Sequence, residues 1–448
     1  MRQMMRQAVT ICVAVAVMLC LPLSAWAKGI LRDPDIEYAL GRLAGPIFDA
    51  AGLSAARMKI VIIHDDQPNA FVADTSHVFI HSGLLLRLDT AAEVQAVIAH
   101  EIAHITGGHI IRRQVNMQNA STAAALGVLL SGAVVAATGN GEAAAGLAIG
   151  ISGSAQRVLF GHTRAEEASA DQAGIRYMAR AGIPPQAMLD VLEMFRGQEV
   201  LSESRQDPYA RTHPLTRDRL RALRGYAAAS KLTANPDPEA NYWYARARGK
   251  LEAFIRPPAY TLRRVPASDA SDIALMRRAV ALHRVPKPKE AMATMARLVA
   301  LRPNDPYYAE LQGQILLESR QFDAAVTAYR RAAKMAPNEP QIQAGLGRAL
   351  LATTNKANLP AAIKALEAAR ARDGYDPVLL RHLASAYAQS GQDAMAALNA
   401  SEAHIMRGDC KAAMPLAQRA TAGLSHGSVG WNRAQDVINA CETALKRR

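Results

Sequence analysis

The run EVQAVIAHEIAHITGGHIIRR, residues 93–113, decides the fold and the chemistry of the first half of the chain. Its apolar residues have helical spacing, and the pattern H-E-x-x-H places His100 and His104 four residues apart. Residues with this spacing share one helix face, so two imidazole nitrogens can bind one zinc ion. Glu101 lies about 100° around the same helix, where a carboxylate can take the proton of a zinc-bound water. The run therefore predicts a metal-binding helix with a general base. The alternative is a surface helix with two incidental histidines.

A third metal ligand is expected from one of two places, because a catalytic zinc takes three protein ligands and keeps one open position. Immediately downstream, Gly107 fits the pattern H-E-x-x-H-x-x-G-x-x-H, but position 110 is isoleucine and His109 comes one residue early. Further on, the run TRAEEASADQAGIRYMARAG carries Glu167 and Asp171 four residues apart. Glu167 can bind the metal, while Asp171 can accept a hydrogen bond from a ligating histidine. The second place is favoured over a solvated acidic helix face.

H-E-x-x-H followed further along the chain by E-x-x-A-D resembles the signature of the gluzincin peptidases related to heat-shock membrane proteases and the CAAX prenyl proteases. The runs NAF at 69–71 and HVFIHSGLLL at 77–86, and the pair HP at 213–214, agree with this resemblance. It implies one zinc ion bound by His100, His104 and Glu167, with Glu101 as general base.

The β-branched runs 59–63 and 78–80 predict short strands. The resemblance implies that residues 60–82 line the substrate cleft. Within them Asn69, Ala70 and Phe71 form the expected substrate strand, since an exposed edge strand can pair with an extended peptide. Ordinary core strands are the alternative.

His213 is expected to have one of two roles, both implied by the resemblance. The histidine of a His-Pro pair can fill the open zinc position and hold the enzyme inactive, or it can stabilise the oxyanion. A loop-capping histidine is the alternative. Arg217 and Arg219 fit either contacts to substrate carbonyls or an exposed helix face. The remaining histidines of this half are interpreted as structural or solvent-facing: His64, His77, His81, His109 and His162.

Residues 1–27 predict a cleaved signal peptide. Basic Arg2 and Arg6 precede an apolar run over 8–21. In the run Ala-Trp-Ala at 25–27, the two alanines stand at the two positions that a signal peptidase reads. A membrane anchor is the alternative, against which Pro22 and the short apolar run argue. Cleavage before Lys28 lowers the formal charge from +13 to +11, because two arginines and no acidic residue are removed. Export to the periplasm favours an anionic membrane face or acidic envelope proteins over nucleic acid as a partner.

The composition excludes a disordered or collagen-like chain, since 50% of the 448 residues are hydrophobic and 20% charged. Cys12 and Cys20 leave with the signal peptide, so Cys410 and Cys441 are expected to form one disulfide in an oxidising compartment. Two buried free thiols are the alternative.

A further apolar run covers residues 122–151, in which Glu142 is the one charged residue. Its apolar core is shorter than the roughly 20 residues that cross a bilayer. We expect a helical hairpin there, with shallow membrane insertion as the alternative.

The second half of the chain is periodic. The run PNDP at 303–306 recurs as PNEP at 337–340, a shift of 34 residues. Small residues follow the same period at two positions, apart from a three-residue insertion near Asn355. They are Ala279, Gly313, Gly347 and Ala384 at the first position, and Ala291, Ala325, Ala362 and Ala396 at the second. This pattern predicts tetratricopeptide-like helix pairs that stack into a superhelix. Its concave surface would recruit clients to the zinc cleft, or the repeats only stabilise the protease.

Together these patterns predict a mainly α chain: an α+β gluzincin-type protease domain with a small β-sheet, followed by an α-helical tetratricopeptide-like solenoid. The expected ranges are a signal peptide 1–27, a protease domain 28–230, a helical linker 231–268 and a repeat domain 269–448. The resemblance implies an exported zinc endopeptidase that cleaves misfolded or misassembled envelope proteins, among them outer-membrane β-barrel proteins and their assembly machinery. A chaperone or binding scaffold with a structural or silent zinc is the alternative. Glu101 separates the two, because a structural zinc needs no base.

Overall fold

The computed structural model describes residues 29–113, 163–202, 205–232, 237–285 and 287–446. The expected signal peptide and the apolar run 122–151 lie outside the described residues. Within the described ranges, every helix is too short or too polar to cross a bilayer.

A small four-stranded sheet forms one layer of the N-terminal half, as predicted. The strands are β1 (Ile30–Leu31), β2 (Lys59–Ile63), β3 (Ala70–Val72) and β4 (His77–His81). Their spatial order is β1-β2-β4-β3. The two inner strands, β2 and β4, run parallel, and the two edge strands are antiparallel to their neighbours. The inner strands carry the β-branched runs, which suits strands that are covered on both faces.

Among the described residues, seven α-helices accompany the sheet. They are α1 (Pro34–Ala50), α2 (Ser82–Arg87), α3 (Ala91–Thr106), α4 (Arg164–Arg180), α5 (Gln186–Glu193), α6 (Pro208–Thr212) and α7 (Arg217–Ala229). Helix α3 lies at the centre, in contact with α1, α4, α5 and β3. Thr90 caps its first turn by accepting a hydrogen bond from the Glu93 amide.

Helix α4 passes very close to α3 because its crossing point carries small residues. Ala170 is fully buried there, and a Cβ atom added to Gly174 would lie 3.3 Å from the Ala99 backbone and 2.8 Å from the Met188 side chain. Thr163 and Glu166 close the start of α4 with a capping box. This close approach brings the acidic residues of α4 onto the histidines of α3.

The C-terminal half consists of paired helices, which confirms the tetratricopeptide-like architecture. They are α10 (Asp272–Arg284), α11 (Pro288–Leu301), α12 (Pro306–Glu318), α13 (Phe322–Met335), α14 (Pro340–Ala352), α15 (Leu359–Arg370), α16 (Pro377–Gln389), α17 (Asp393–Ile405), α18 (Cys410–Gly423) and α19 (Val429–Lys446). Several first helices begin with proline after an acidic capping residue, the favoured order at a helix start. The predicted disulfide between Cys410 and Cys441 joins α18 to α19, with 5.3 Å between the Cα atoms.

The expected linker contains α8 (Pro238–Ile255) and α9 (Pro258–Arg264). Helix α8 begins at Pro238 because the Asp237 side chain accepts hydrogen bonds from two amides of the first turn. It packs against α1 on one side and α10 on the other. Tyr244 and Leu251 belong to the core of the N-terminal half, whereas Ala253 belongs to the core of the first repeat. Helix α8 is therefore a structural part of both halves.

Candidate active site

Four candidate ligands meet at one buried point beneath the sheet edge. His100 and His104 come from α3, Glu167 comes from α4, and His213 follows α6 directly. One donor atom from each lies within 4.8 Å of all the others. Each of the four residues is at most 3% exposed. The structure thus brings together the three ligands expected from the sequence and the histidine of the His-Pro pair.

The spacing of these atoms fits a tetrahedral metal. The Nε2 atoms of His100 and His104 are 3.1 Å apart, and His213 Nδ1 lies 3.2 Å from His100 Nε2 and 3.1 Å from Glu167 Oε1. A tetrahedron with bonds of about 2.0–2.1 Å to zinc has edges of about 3.3 Å. Three imidazoles and a carboxylate also form a donor set typical of zinc. These residues therefore fit the ion.

The protonation states of His104 and Glu167 favour metal binding, whereas that of His100 couples binding to proton release. Burial lowers the pKa of His104 well below its usual value, so its ring is neutral and keeps a lone pair. Burial opposes the ionisation of Glu167, but Arg219, His213 and His100 hold the pKa of Glu167 well below its usual value. Although burial acts the other way, Glu167 and Asp171 raise the pKa of His100 to about 10. Binding of a cation at His100 would therefore release a proton.

Glu101 lies next to the ligands without belonging to them. Its carboxylate is fully buried, and neither oxygen accepts a hydrogen bond from the part of the chain that the structure describes. His213 Nε2 is 3.3 Å from Glu101 Oε1. Burial raises the pKa of Glu101, with His213 and His100 opposing the shift. A carboxylate with a raised pKa at this place is suited to accept a proton.

Asp171 and Arg219 form a support behind the ligands. Asp171 Oδ1 lies 3.1 Å from His100 Nδ1, the ring nitrogen that points away from the site. Arg219 Nε and Nη2 donate to the two Asp171 oxygens at 2.7 and 2.8 Å. Its Nη1 lies 2.7 Å from Glu167 Oε2. The sequence left the role of Arg219 open, and the structure places this buried cation against the carboxylates of α4, while Arg217 is exposed.

The expected substrate strand is the edge strand β3, and a second segment already lies along it. The Tyr209 amide donates to Pro68 O at 3.1 Å, and Thr212 Oγ1 donates to Asn69 Oδ1 at 3.2 Å. His213 Nε2 donates to Ala70 O at 3.1 Å. Asn69, Ala70 and Phe71 are accordingly buried, although they were expected on an exposed edge. The reason is that α6 and His213 cover this edge.

Comparison with known proteins agrees with this site. Residues 31–227 match the model of peptidase family M48. The chain is also similar to the beta-barrel assembly-enhancing protease of Yersinia pestis, with 27% identity over 329 residues, 71% of this chain and 66% of that protein. The protein of that name from Escherichia coli strain K12 is 26% identical over 330 residues, 72% and 66% of the two chains. The matched region thus spans 66% of the length of these relatives.

Solved structures of MamA match part of the chain. MamA MSR-1 has 20% identity and a TM-score of 0.31, covering 37% of this chain and 95% of that one. MamA from Desulfovibrio magneticus RS-1 has 18% identity and a TM-score of 0.30, covering 41% and 97%.

Proposed function

We propose that this protein is an exported zinc endopeptidase that cleaves misfolded or misassembled proteins of the cell envelope. One observation carries the proposal: a set of donor atoms typical of a zinc site lies beside the buried carboxylate of Glu101, which is not itself one of the candidate ligands. A site built only for structure would have no use for such a carboxylate, whose burial costs free energy. The match of residues 31–227 to peptidase family M48 supports the same reaction class.

The roles of the residues follow from their positions. A zinc ion held by His100, His104 and Glu167 would supply Lewis acidity for the peptide carbonyl and an acidified water. Glu101 would take the proton of the attacking water and pass it to the leaving amine. Asp171 would hold the His100 ring in the tautomer that directs Nε2 at the metal. Strand β3 would align the extended peptide, once its edge is uncovered.

His213 is proposed to keep the resting enzyme inactive. Its Nδ1 atom lies at tetrahedral distance from His100 and Glu167, where an open coordination position would otherwise be. The same segment covers the edge of β3. A substrate peptide would therefore have to displace the segment 208–213 as a whole before it could reach both the strand and the metal.

The repeats are proposed to recruit clients or assembly partners to this cleft. The names of the similar proteins from Yersinia pestis and Escherichia coli point to the assembly of β-barrel proteins, and we extend that role to this chain. Outer-membrane β-barrel proteins and their assembly machinery are then the expected partners, and the periplasm is the expected location. The formal net charge of +11 expected after cleavage of the signal peptide, +13 less Arg2 and Arg6, favours an anionic membrane face nearby.

The proposal is tested by replacing the base. Wild type, His213→Ala, Glu101→Gln and the double variant are loaded with one zinc per chain and incubated with an unfolded protein substrate. We expect cleavage by wild type or by His213→Ala, and at least about 100-fold less after Glu101→Gln in the same background. Glu193→Gln, a surface change on α5, is the matched control and should cleave normally.

A chaperone or binding scaffold is the second candidate, favoured by the fourth ligand. Structural zinc sites are closed by four protein ligands, and His213 makes four here. If neither wild type nor His213→Ala cleaves when loaded with zinc, while both still suppress aggregation of the unfolded protein, the scaffold is correct and the endopeptidase is not.

A further inference from the structure

A fourth histidine lies directly behind the metal-ligand group. His109 is 2% exposed, and its Nδ1 atom is 2.8 Å from His104 Nδ1. The two rings meet edge to face, with 4.9 Å between their centroids and 71° between their planes. His104 Nδ1 is the nitrogen that faces away from the other ligands, because His104 Nε2 is the atom near His100 and Glu167.

Two glycines bring His109 to this position. Helix α3 ends at Thr106, and Gly108 has a φ of +67°, a conformation that glycine adopts without strain. At Gly107 a Cβ atom would lie 2.7 Å from His109 Nε2 and 2.9 Å from Ala103 O. The turn therefore folds the chain back so tightly that the imidazole of His109 occupies the space of a side chain at position 107.

The hydrogen-bond chemistry of this pair has one consistent assignment. If His104 Nε2 carries the lone pair for a metal, His104 Nδ1 carries the proton and must donate it. The acceptor at 2.8 Å is His109 Nδ1, which requires the tautomer of His109 with its proton on Nε2. His100 has an anionic partner in the corresponding place, the Asp171 carboxylate. The two histidine ligands thus have partners of different charge.

We propose that His109 is a positioning residue of the zinc site: it accepts the Nδ1 proton of His104 and fixes the ring orientation that directs Nε2 at the metal. This inference rests on zinc binding as part of the proposed function. A neutral acceptor orients the ligand without adding negative charge, so the ion keeps more of its Lewis acidity than it would between two carboxylate-backed histidines.

The test compares His109→Leu with His109→Asn. Leucine fills the space without an acceptor, whereas asparagine Oδ1 can stand in place of His109 Nδ1. Zinc affinity is measured on the full chain by competition with a chromophoric chelator, and cobalt is substituted to record the visible spectrum of the site. His109→Leu should weaken zinc binding about 10- to 100-fold and alter the cobalt spectrum. His109→Asn should recover most of the affinity.

His77→Leu is the matched control, because His77 is also a buried histidine but pairs with Asp74, away from the ligands. It should leave zinc affinity unchanged. Zinc binding by His109→Leu equal to wild type overturns the inference, as does an equal loss in the asparagine and leucine variants, which would show a packing role. If wild type and His213→Ala both bind zinc but neither cleaves, the proposed endopeptidase is defeated and this inference still stands.

Discussion

His213 uses both ring nitrogens in the resting site. Nδ1 lies among the ligand atoms, and Nε2 donates to the carbonyl of Ala70. The Tyr209 ring packs against the same imidazole at a tilt of 34°, with 4.7 Å between centroids. These contacts hold the imidazole among the ligand atoms, the position that the proposed inhibitory role requires. An oxyanion donor would need to leave that position.

Replacing His213 by alanine should therefore raise proteolysis. If the covered state holds about nine-tenths of the molecules, its loss increases the competent fraction roughly tenfold. Initial rates of cleavage of an unfolded protein by wild type and His213→Ala, both zinc-loaded, give the measurement. Loss of cleavage would instead identify an oxyanion donor, and an unchanged rate would exclude both roles. His283→Ala, a change in the repeats, is the control for removing a histidine.

The residues of the site differ in how well the local sequence predicts them. His100, Glu101 and His104 were predictable because one helix turn sets their geometry. Glu167 and Asp171 were predicted through spacing and family resemblance together. The sequence left the role of Arg219 open between substrate contacts and an exposed helix face, and it interpreted His109 only as structural or solvent-facing. The burial of a polar side chain depends on contacts between distant segments, which the local sequence pattern does not reveal. Burial and the pairing of Arg219 with two carboxylates became visible only in the fold.

At the scale of elements, the repeats show why small residues recur in their helices. The ring of Tyr329 on α13 lies between Gly313 on α12 and Gly345 on α14. A Cβ atom on Gly345 would be 2.2 Å from the Tyr329 ring, and one on Gly313 would be 2.7 Å from it. Tyr329 is fully buried there. The sequence period predicted Gly313, but Gly345 lies outside the two periodic positions.

Gly345→Ala should destabilise the protein. The alanine gains up to about 1 kcal/mol in helix propensity, but it must displace the Tyr329 ring, and overpacking typically costs about 1–3 kcal/mol. The free energy of unfolding from urea titrations is the measurement. Gly225→Ala in α7 is the control, because its Cβ would have no atom within 4 Å, so it should be neutral or stabilising. Equal effects of the two changes would show that the close contact is unimportant.

The elements themselves were more predictable than their edges and partners. Hydrophobic periodicity and helix-capping residues are local features of a sequence, and they predict several elements correctly. These elements are helix α3, the strands at 59–63 and 77–81, and the paired helices. The covering of β3 by α6 was not predictable, because it depends on contacts between Pro68–Ala70 and a segment far along the chain. The same reason applies to α8, whose sequence shows a helix but not the two cores that it joins.

At the scale of the whole molecule, buried cations of α8 hold the two halves together. Lys250 is fully buried, and its Nζ lies 2.9 Å from Asp33 of the first half and 4.0 Å from Glu310 of α12. Arg246 is 2.8 Å from Asp35 and 2.6 Å from Asp305. Asp33 and Asp305 cap the starts of α1 and α12, respectively. One helix thus binds the N-terminal caps of both halves.

This junction should make stability depend on pH. Burial, only partly offset by Lys250, raises the pKa of Glu310 to about 7 from an ordinary value of 4.5. The unfolded chain loses this proton near pH 4.5 and the folded protein near pH 7, so the contribution of Glu310 to stability falls as pH rises through that window and then levels off. Glu310→Gln should remove this loss. Between pH 4.5 and pH 8, the free energy of unfolding of the variant should therefore rise by roughly 1–3 kcal/mol relative to that of wild type.

Urea unfolding of both proteins between pH 4.5 and 8 provides the measurement. Burial raises the pKa of Glu318, but hydrogen bonds from His283 and Gln314 outweigh it and lower this pKa below its usual value. Glu318→Gln on the same helix should therefore change the pH dependence of the unfolding free energy in the opposite direction. If the difference in unfolding free energy between Glu310→Gln and wild type does not change with pH, Glu310 is not the source of the pH dependence.

The shared helix also limits how such a protein can be recombined. Since α8 contributes to two hydrophobic cores and its cations pair with the capping aspartates of α1 and α12, the catalytic and repeat halves are not interchangeable modules. A chimaera that attached another repeat array after residue 230 would discard Tyr244 and Leu251 from the first core. A functional exchange must keep α8 with the catalytic half and carry acidic partners equivalent to Asp305 and Glu310 in the new array. In gene fusion, the inherited unit is therefore the catalytic domain with this helix attached.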